Sequence, residues 1–164
     1  MYRRILVPID GSPTSKLGLE EAIGLAKTAG ARLRVLNVLD EKLAVPGIDA
    51  YGAADLSALL GVLNLEGRKA LKDAVALTRK RGVQVDTEMA EGRGRFVSDV
   101  IVDAAKTWRA DLIVMGTHGR RGFNRLLMGS DAERVLRETP VPVLFVRGES
   151  SPNEPAKKSV RKRR

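Results

Sequence analysis

The 164-residue chain contains no cysteine, which removes disulfides and thiol-based metal or redox chemistry from consideration. Its one histidine, His118, has no cluster of acidic residues around it in the sequence, which argues against a dedicated zinc site. No apolar run is long enough to cross a bilayer, and the opening run Ile5-Leu6-Val7 is too short for the core of a signal peptide. A cytoplasmic location is the default expectation. Three common signatures are also missing. There is no G-x-x-x-x-G-K-[ST] stretch, so a P-loop would have no lysine to work with, and no G-x-G-x-x-G follows the first strand-like run. The G-x-S-x-G hydrolase elbow is absent as well.

What remains is a soluble, globular composition, 43% hydrophobic and 30% charged, long enough for one domain with a self-supporting core. The formal charge of +9 is unevenly spread. Residues 148–164 hold six Lys/Arg against two acids, leaving 23 basic and 18 acidic residues in 1–147. The composition divides the chain into a folded domain, 1–147, and a basic C-terminal tail, 148–164. That tail has too little apolar surface to offset its ordering entropy and is expected to be disordered.

Within 1–147, apolar runs alternate with helical periodicity. Ile5-Leu6-Val7 reads as a buried strand, followed by a turn cluster from Pro8 to Pro13. Leu19, Ala22, Ile23 and Ala26 repeat at helical spacing, and Gly30 supplies a stop. Leu33 to Val38 reads as a second strand, and 41–54, with Pro46, Gly47 and Gly52, as a loop. Leu71, Ala74, Val75 and Thr78 share a helix face that ends before Gly82, and Val83 to Thr87 alternates as a third strand. Val97, Ile101, Ala104 and Trp108 form another helix stripe. Leu112 to Met115 and Val141 to Val146 read as the fourth and fifth strands, with a helix over Ala132 to Glu138 between them. Strands alternating with helices predict an α/β fold: a single open, doubly wound parallel sheet with helices on both faces.

The chemistry concentrates where glycines crowd. Met115-Gly116-Thr117-His118-Gly119 follows the fourth strand, then comes Gly122, and Gly129-Ser130 opens the last helix. Strand, glycine loop and helix N-terminus suit a phosphate, because glycines let amides approach it and the helix dipole favours negative charge. Ser130-Asp131-Ala132-Glu133 also reads as a capping box, in which Ser130 would bond the third helical amide and Glu133 would reach back. Ligands of doubly wound sheets lie at strand carboxyl ends, so Asp10 and Gly116 would face one crevice if the first and fourth strands are neighbours.

Gly116-x2-Gly119-x9-Gly129-Ser130, together with Val7-Pro8-Ile9-Asp10-Gly11-Ser12 at the start, resembles the universal stress protein family, and in particular its ATP-binding branch. The resemblance spans about residues 1–147. It implies five parallel strands in the order 3-2-1-4-5, a sheet of the HUP or adenine nucleotide alpha hydrolase-like type, and a homodimer through the last strand. It also implies an adenine nucleotide (ATP, ADP or AMP), with a divalent ion such as Mg2+. By position, Pro8, Ile9 and Asp10 would meet the adenine and ribose side, and Val38 would line the adenine pocket. Met115 and Gly116 would touch sugar and base, while Gly119, Gly129 and Ser130 would hold phosphates. The chain departs from the pattern at two positions. Asp131 stands where an apolar or small hydroxyl residue is common. A carboxylate there favours the helix N-terminus by about 0.3–1 kcal/mol but repels a polyphosphate unless magnesium intervenes. Arg95 stands where relatives often carry proline, a change expected to be silent.

Several residues have two readings. Asp10 is either a ligand group or an Asp-Gly turn former. His118 either approaches a phosphate or is exposed in a turn, with no acid partner for catalysis. Arg120, Arg121 and Arg125 either close over phosphates or are solvated. Phe123, Leu126, Leu127 and Met128 anchor the spacer or bury at a dimer contact. The tail offers non-specific contact with anions, or serves only solubility. A regulatory ATP-binding stress protein is therefore expected; the alternatives are a slow Mg-dependent ATPase and a nucleic-acid-associated protein acting through its tail.

Overall fold

The computed structural model describes residues 1–41, 53–119 and 128–148, with side chains from residue 57 in the second of these segments. Nine elements alternate along them: β1 (Arg4–Pro8), α1 (Pro13–Ala29), β2 (Arg32–Leu39), α2 (Ala53–Lys80), β3 (Val85–Glu91), α3 (Val97–Trp108), β4 (Leu112–Gly116), α4 (Ser130–Glu138) and β5 (Val143–Val146). The strands form one five-stranded parallel sheet in the order β3-β2-β1-β4-β5, the order that the resemblance implies. In the register, β1 pairs β2 with Ile5 opposite Leu33, and it pairs β4 with Ile5 opposite Leu112. The chain therefore reverses direction across the sheet between β1 and β4.

Strand alternation divides the core into two layers. Ile5, Val7, Leu33, Val35, Leu112 and Val114 point to one face, where Leu19, Ala22, Ile23 and Ala26 of α1 and Leu71 and Ala74 of α2 cover them. Leu6, Leu36, Ile113 and Met115 point to the other, against Ile101, Ala104 and Ala105 of α3 and Ala132 and Val135 of α4. Ile5, Leu6 and Ile113 are fully buried; such burial stabilises by about 1.5–3 kcal/mol per side chain.

Local chemistry sets the ends of α1. Ser12 is its N-cap and accepts from the Ser15 amide at 3.2 Å, and Pro13 fills the first helical position, where no amide is needed. Gly30 closes it in the left-handed conformation, φ 64°, its amide bonded to the Ala26 carbonyl. α3 closes in the same way on Arg109, a non-glycine residue at φ 54°.

Four boundaries differ from the sequence reading. The third strand is shifted: Val83 is tied back into the end of α2 by its amide on the Thr78 carbonyl, and pairing runs on to Glu91 opposite Leu39. The fifth strand begins only at Val143, because Pro142 has no amide for the ladder. α2 reaches back to Ala53, through residues to which no helix is assigned from sequence, since Gly61 and Gly67 interrupt the pattern. Most of the expected 41–54 loop lies outside the described residues. Finally, Ser130 is the first helical residue of α4. The N-cap is Gly129, which has no side chain to offer, so the expected capping box does not form.

Arg95, just before α3, donates to the Asp103 carboxylate at 2.5 Å, and that bond raises its already high pKa.

Candidate functional site

At the carboxyl ends of β1, β2 and β4 lies a cleft of about 260 Å3, close to the lower end of the roughly 300–1,000 Å3 usual for small-molecule sites. Pro8, Ile9, Asp10, Val38, Met115 and Gly116 line it, and so do Gly119, Gly129, Ser130 and Asp131. The topology brings these together because β1 and β4 are adjacent and each ends in a turn that opens to the same side. Arg120 lies outside the described residues, as do Arg121, Phe123, Arg125, Leu126, Leu127 and the tail beyond Gly148. Met128 is half-buried against the α3 and α4 layer.

One wall is apolar: Leu36 and Val38 from β2, Leu63 from α2, Val97 and Ile101 from α3, and Met115 from β4. The opposite wall is polar and built from backbone. Asp10 folds its carboxylate back so that Oδ1 accepts from the Ser12 amide at 2.9 Å. This turn satisfies the turn-former reading and still leaves the carboxylate at the cleft.

None of the three loop glycines has a positive φ, so what sets each apart is how closely its neighbours approach. A Cβ on Gly119 would stand 2.8 Å from Asp10 Oδ2, and one on Gly129 would stand 3.2 Å from the Thr117 carbonyl oxygen. A Cβ on Gly116 would press on the backbone of Thr14 at 2.9–3.0 Å. Thr14 Oγ1 also donates to the His118 carbonyl, and the Gly129 amide donates to the Thr117 carbonyl at 2.9 Å. The first turn of α1, the loop after β4 and the start of α4 are thus held against one another. His118 is half-buried, with Nδ1 2.9 Å from Thr117 Oγ1.

With Gly129 as N-cap, the capping position itself offers no side chain to the leading amides of α4, and this helix start lies on the cleft with Ser130 and Asp131. Such an end, with its positive half-dipole, suits an anion. Among the described residues no group of three His, Asp or Glu side chains could hold a metal ion. A divalent ion at Asp10 or Asp131 would therefore draw most of its oxygen ligands from phosphate and water.

One contributor escapes the motif reading. Asn37 is buried, and its Nδ2 donates to the Ile9 carbonyl at 2.8 Å, while the Ile9 amide donates to Leu36 O at 2.8 Å. Ile9 is thereby pinned through both backbone groups just before Asp10. The signal available in the sequence is one amide inside the apolar run from Leu33 to Leu39. Leu63 had none, because its helix is not recognisable there from periodicity.

A doubly wound α/β domain with a glycine-walled cleft at its switch point belongs to the class whose ligand sites lie at the strand carboxyl ends. Comparison with known proteins narrows that class. The model of the universal stress protein family matches residues 1–147. Universal stress protein MJ0531 of Methanocaldococcus jannaschii is 40% identical over 147 residues, covering 90% of this chain and 83% of its own. The solved structure of protein MJ0577 from the same organism superposes with a TM-score of 0.77 at 25% identity, over 92% of this chain and 99% of that one. The Archaeoglobus fulgidus universal stress protein, solved in complex with dAMP, gives a TM-score of 0.62 at 26% identity, over 89% and 98% of the two chains. This chain belongs to the universal stress protein family.

Proposed function

We propose that the protein binds an adenine nucleotide in this cleft and acts as a regulatory protein whose surface or assembly responds to occupancy. The observation that carries the reading is the glycine-capped N-terminus of α4, which lies on the same cleft as the Asp10 carboxylate and the apolar wall. The dAMP complex of the A. fulgidus relative supports the same ligand class. In this reading the base lies against Val38 and the backbone of Pro8 and Ile9, and Asp10 accepts from ribose hydroxyls. Met115 and Gly116 border the sugar. Gly119, Gly129 and Ser130 donate to phosphate oxygens, and Arg120 covers them. Asp131 faces the phosphates and takes a divalent ion when the chain of phosphates is long. Bound magnesium would neutralise charge there, and the protein's own part is to position its ligands.

Assembly follows from the edge. Among the described residues β5 pairs only with β4, and its four residues are half-buried, leaving one side open to a second copy of the chain. We place the homodimer contact there, and a monomer in sedimentation at micromolar concentration would refute it.

The direct test of binding is to denature freshly purified protein and weigh what is released, then titrate the emptied protein with ATP, ADP and AMP. Adenine nucleotide recovered, or bound with micromolar affinity, supports the reading. No heat and no release with any of the three overturns it.

A further inference from the structure

The geometry points to a second ligand surface, at the end of the sheet opposite the cleft, that takes single-stranded nucleic acid through its phosphates. In a parallel sheet every strand starts at one end, so every crossover helix finishes there too. Here three helix ends carry cations to that end: Lys27 in the last turn of α1, Arg79 and Lys80 in the last turn of α2 with Arg81 just beyond, and Lys106 in the last turn of α3. All five are exposed, as is Arg3 just before β1.

Backbone hydrogen bonds make this one continuous face. After α2, the chain turns through Gly82, and the Gln84 carbonyl accepts from the Leu33 amide at 2.9 Å. Next along, the Arg32 amide donates to Arg3 O at 2.9 Å, and the Asp111 amide donates to Arg4 O at 2.9 Å. Arg4 Nη1 then reaches the Trp108 carbonyl at 2.8 Å, at the end of α3. Residues at the ends of α1 and α2 on one side of the sheet are thus joined to the end of α3 on the other.

Cations at helix C-termini have an ordinary purpose, since they complement the negative end of the dipole. Each helix end carries only about half a negative charge, however, so three helices fall well short of this many full charges. The local carboxylates are already engaged. Asp86 pairs with Arg32 at 3.3 Å and lies 3.9 Å from Arg34, Asp111 accepts from the amides of Arg3 and Arg4, and Glu138 at the end of α4 lies 3.9 Å from Arg134. Among the described residues, Arg3, Lys27, Arg79, Lys80, Arg81 and Lys106 make no ion pair. The surplus is positive and needs a polyanion. Arginine's fork suits phosphate oxygens, and Tyr2, 39% exposed beside Arg3 in the sequence, offers a ring on which a base can stack without regard to its identity. The exposed apolar groups next to Arg3 in the sequence are Met1 and the Tyr2 ring, and a ring that can stack on a base favours a nucleic-acid strand over a bilayer.

The test is fluorescence anisotropy of a labelled 20-nucleotide oligouridylate with the full-length protein. About five neutralised phosphates give a slope near −3.5 in log affinity against log salt, so binding should weaken about 100-fold between 50 and 200 mM salt. The triple variant Arg79→Glu/Arg81→Glu/Lys106→Glu should bind at least tenfold more weakly, with a shallower salt slope. If it fails to fold, judged by its melting curve, Arg79→Gln/Arg81→Gln/Lys106→Gln replaces it, with a loss of at least threefold expected. Neutralising Lys157, Lys158 and Arg161 to Arg164 in the full-length chain should leave binding that the triple variant weakens by the same factor. Saturating AMP should not compete, because the cleft lies at the other end of the sheet. Unchanged affinity in the triple variant, loss on tail neutralisation alone, or competition by AMP would each overturn the proposal. So would face-dependent binding to phosphatidylserine-containing vesicles without binding to the oligonucleotide.

Discussion

Gly116 and Gly119 stand three residues apart in one loop, yet alanine at each should fail for a different reason. At Gly116 the new methyl would meet the Thr14 carbonyl carbon at 2.9 Å and its Cβ and carbonyl oxygen at 3.0 Å, where ordinary contacts begin near 3.4 Å. Those are mostly backbone atoms of the first turn of α1, which is fixed by the Ser12 cap and by Thr14 on His118 O. Relief therefore requires moving a helix against a strand, and overpacking of this kind costs about 1–3 kcal/mol. For a domain of this size that is a fall of roughly 2–12 °C in Tm. At Gly119 the methyl meets only Asp10 Oδ2, at 2.8 Å, the free end of a side chain. The carboxylate can swing away at little cost in stability, but it then leaves its place in the cleft. If Asp10 makes a charged hydrogen bond to ribose, worth about 1.5–3 kcal/mol, nucleotide Kd should rise about 10–150-fold. Calorimetric melting and isothermal titration of both variants in one buffer separate the two effects. Gly116→Ala melting with the parent protein would refute the packing argument, since a Gly→Ala change free of strain usually stabilises by about 0.4–1 kcal/mol. Gly119→Ala binding nucleotide within threefold of the parent would refute the role given to Asp10.

Other outcomes follow from the same coordinates. Gly67→Ala would drive a methyl into Asn37, too close to its Oδ1 and 3.1 Å from its Cγ, and should destabilise by about 1–3 kcal/mol in urea unfolding while weakening nucleotide binding, because Asn37 holds Ile9. Asp131→Asn should tighten ATP binding about fivefold when magnesium is chelated, from removal of about 1 kcal/mol of charge repulsion, and change AMP binding less; titration with and without chelator checks this. Arg109→Gly should raise Tm by about 2–4 °C, because Arg109 occupies the left-handed region at φ 54° and glycine does so without strain. The Lys69 ammonium donates to Asp73 at 2.6 Å and holds that carboxyl below its ordinary pKa. The pair's contribution is therefore present above the unfolded carboxyl pKa and lost as pH falls through the lower folded one. Lys69→Gln should return the Asp73 titration, followed by NMR, towards its ordinary value.

Local patterns along the chain are sufficient for the class of fold, because buried parallel strands and amphipathic helices announce themselves in the period of their apolar residues. They are also enough for the glycine loop, which the spacing of Gly116, Gly119 and Gly129 marks out. Boundaries are less legible wherever a single glycine or proline breaks a period, as at Gly61 and Gly67 in α2 and at Pro142 before β5. Contacts between segments distant in sequence are decided only by the folded chain. Ser130 illustrates the difference: its neighbourhood spells a capping box, but the Gly129 amide bonds the Thr117 carbonyl and Gly129, not Ser130, takes the N-cap position. The adjacency of β1 and β4, which joins Asp10 to Gly119, and the meeting of three helix ends in one basic face depend on tertiary pairing, to which no local period in the sequence corresponds.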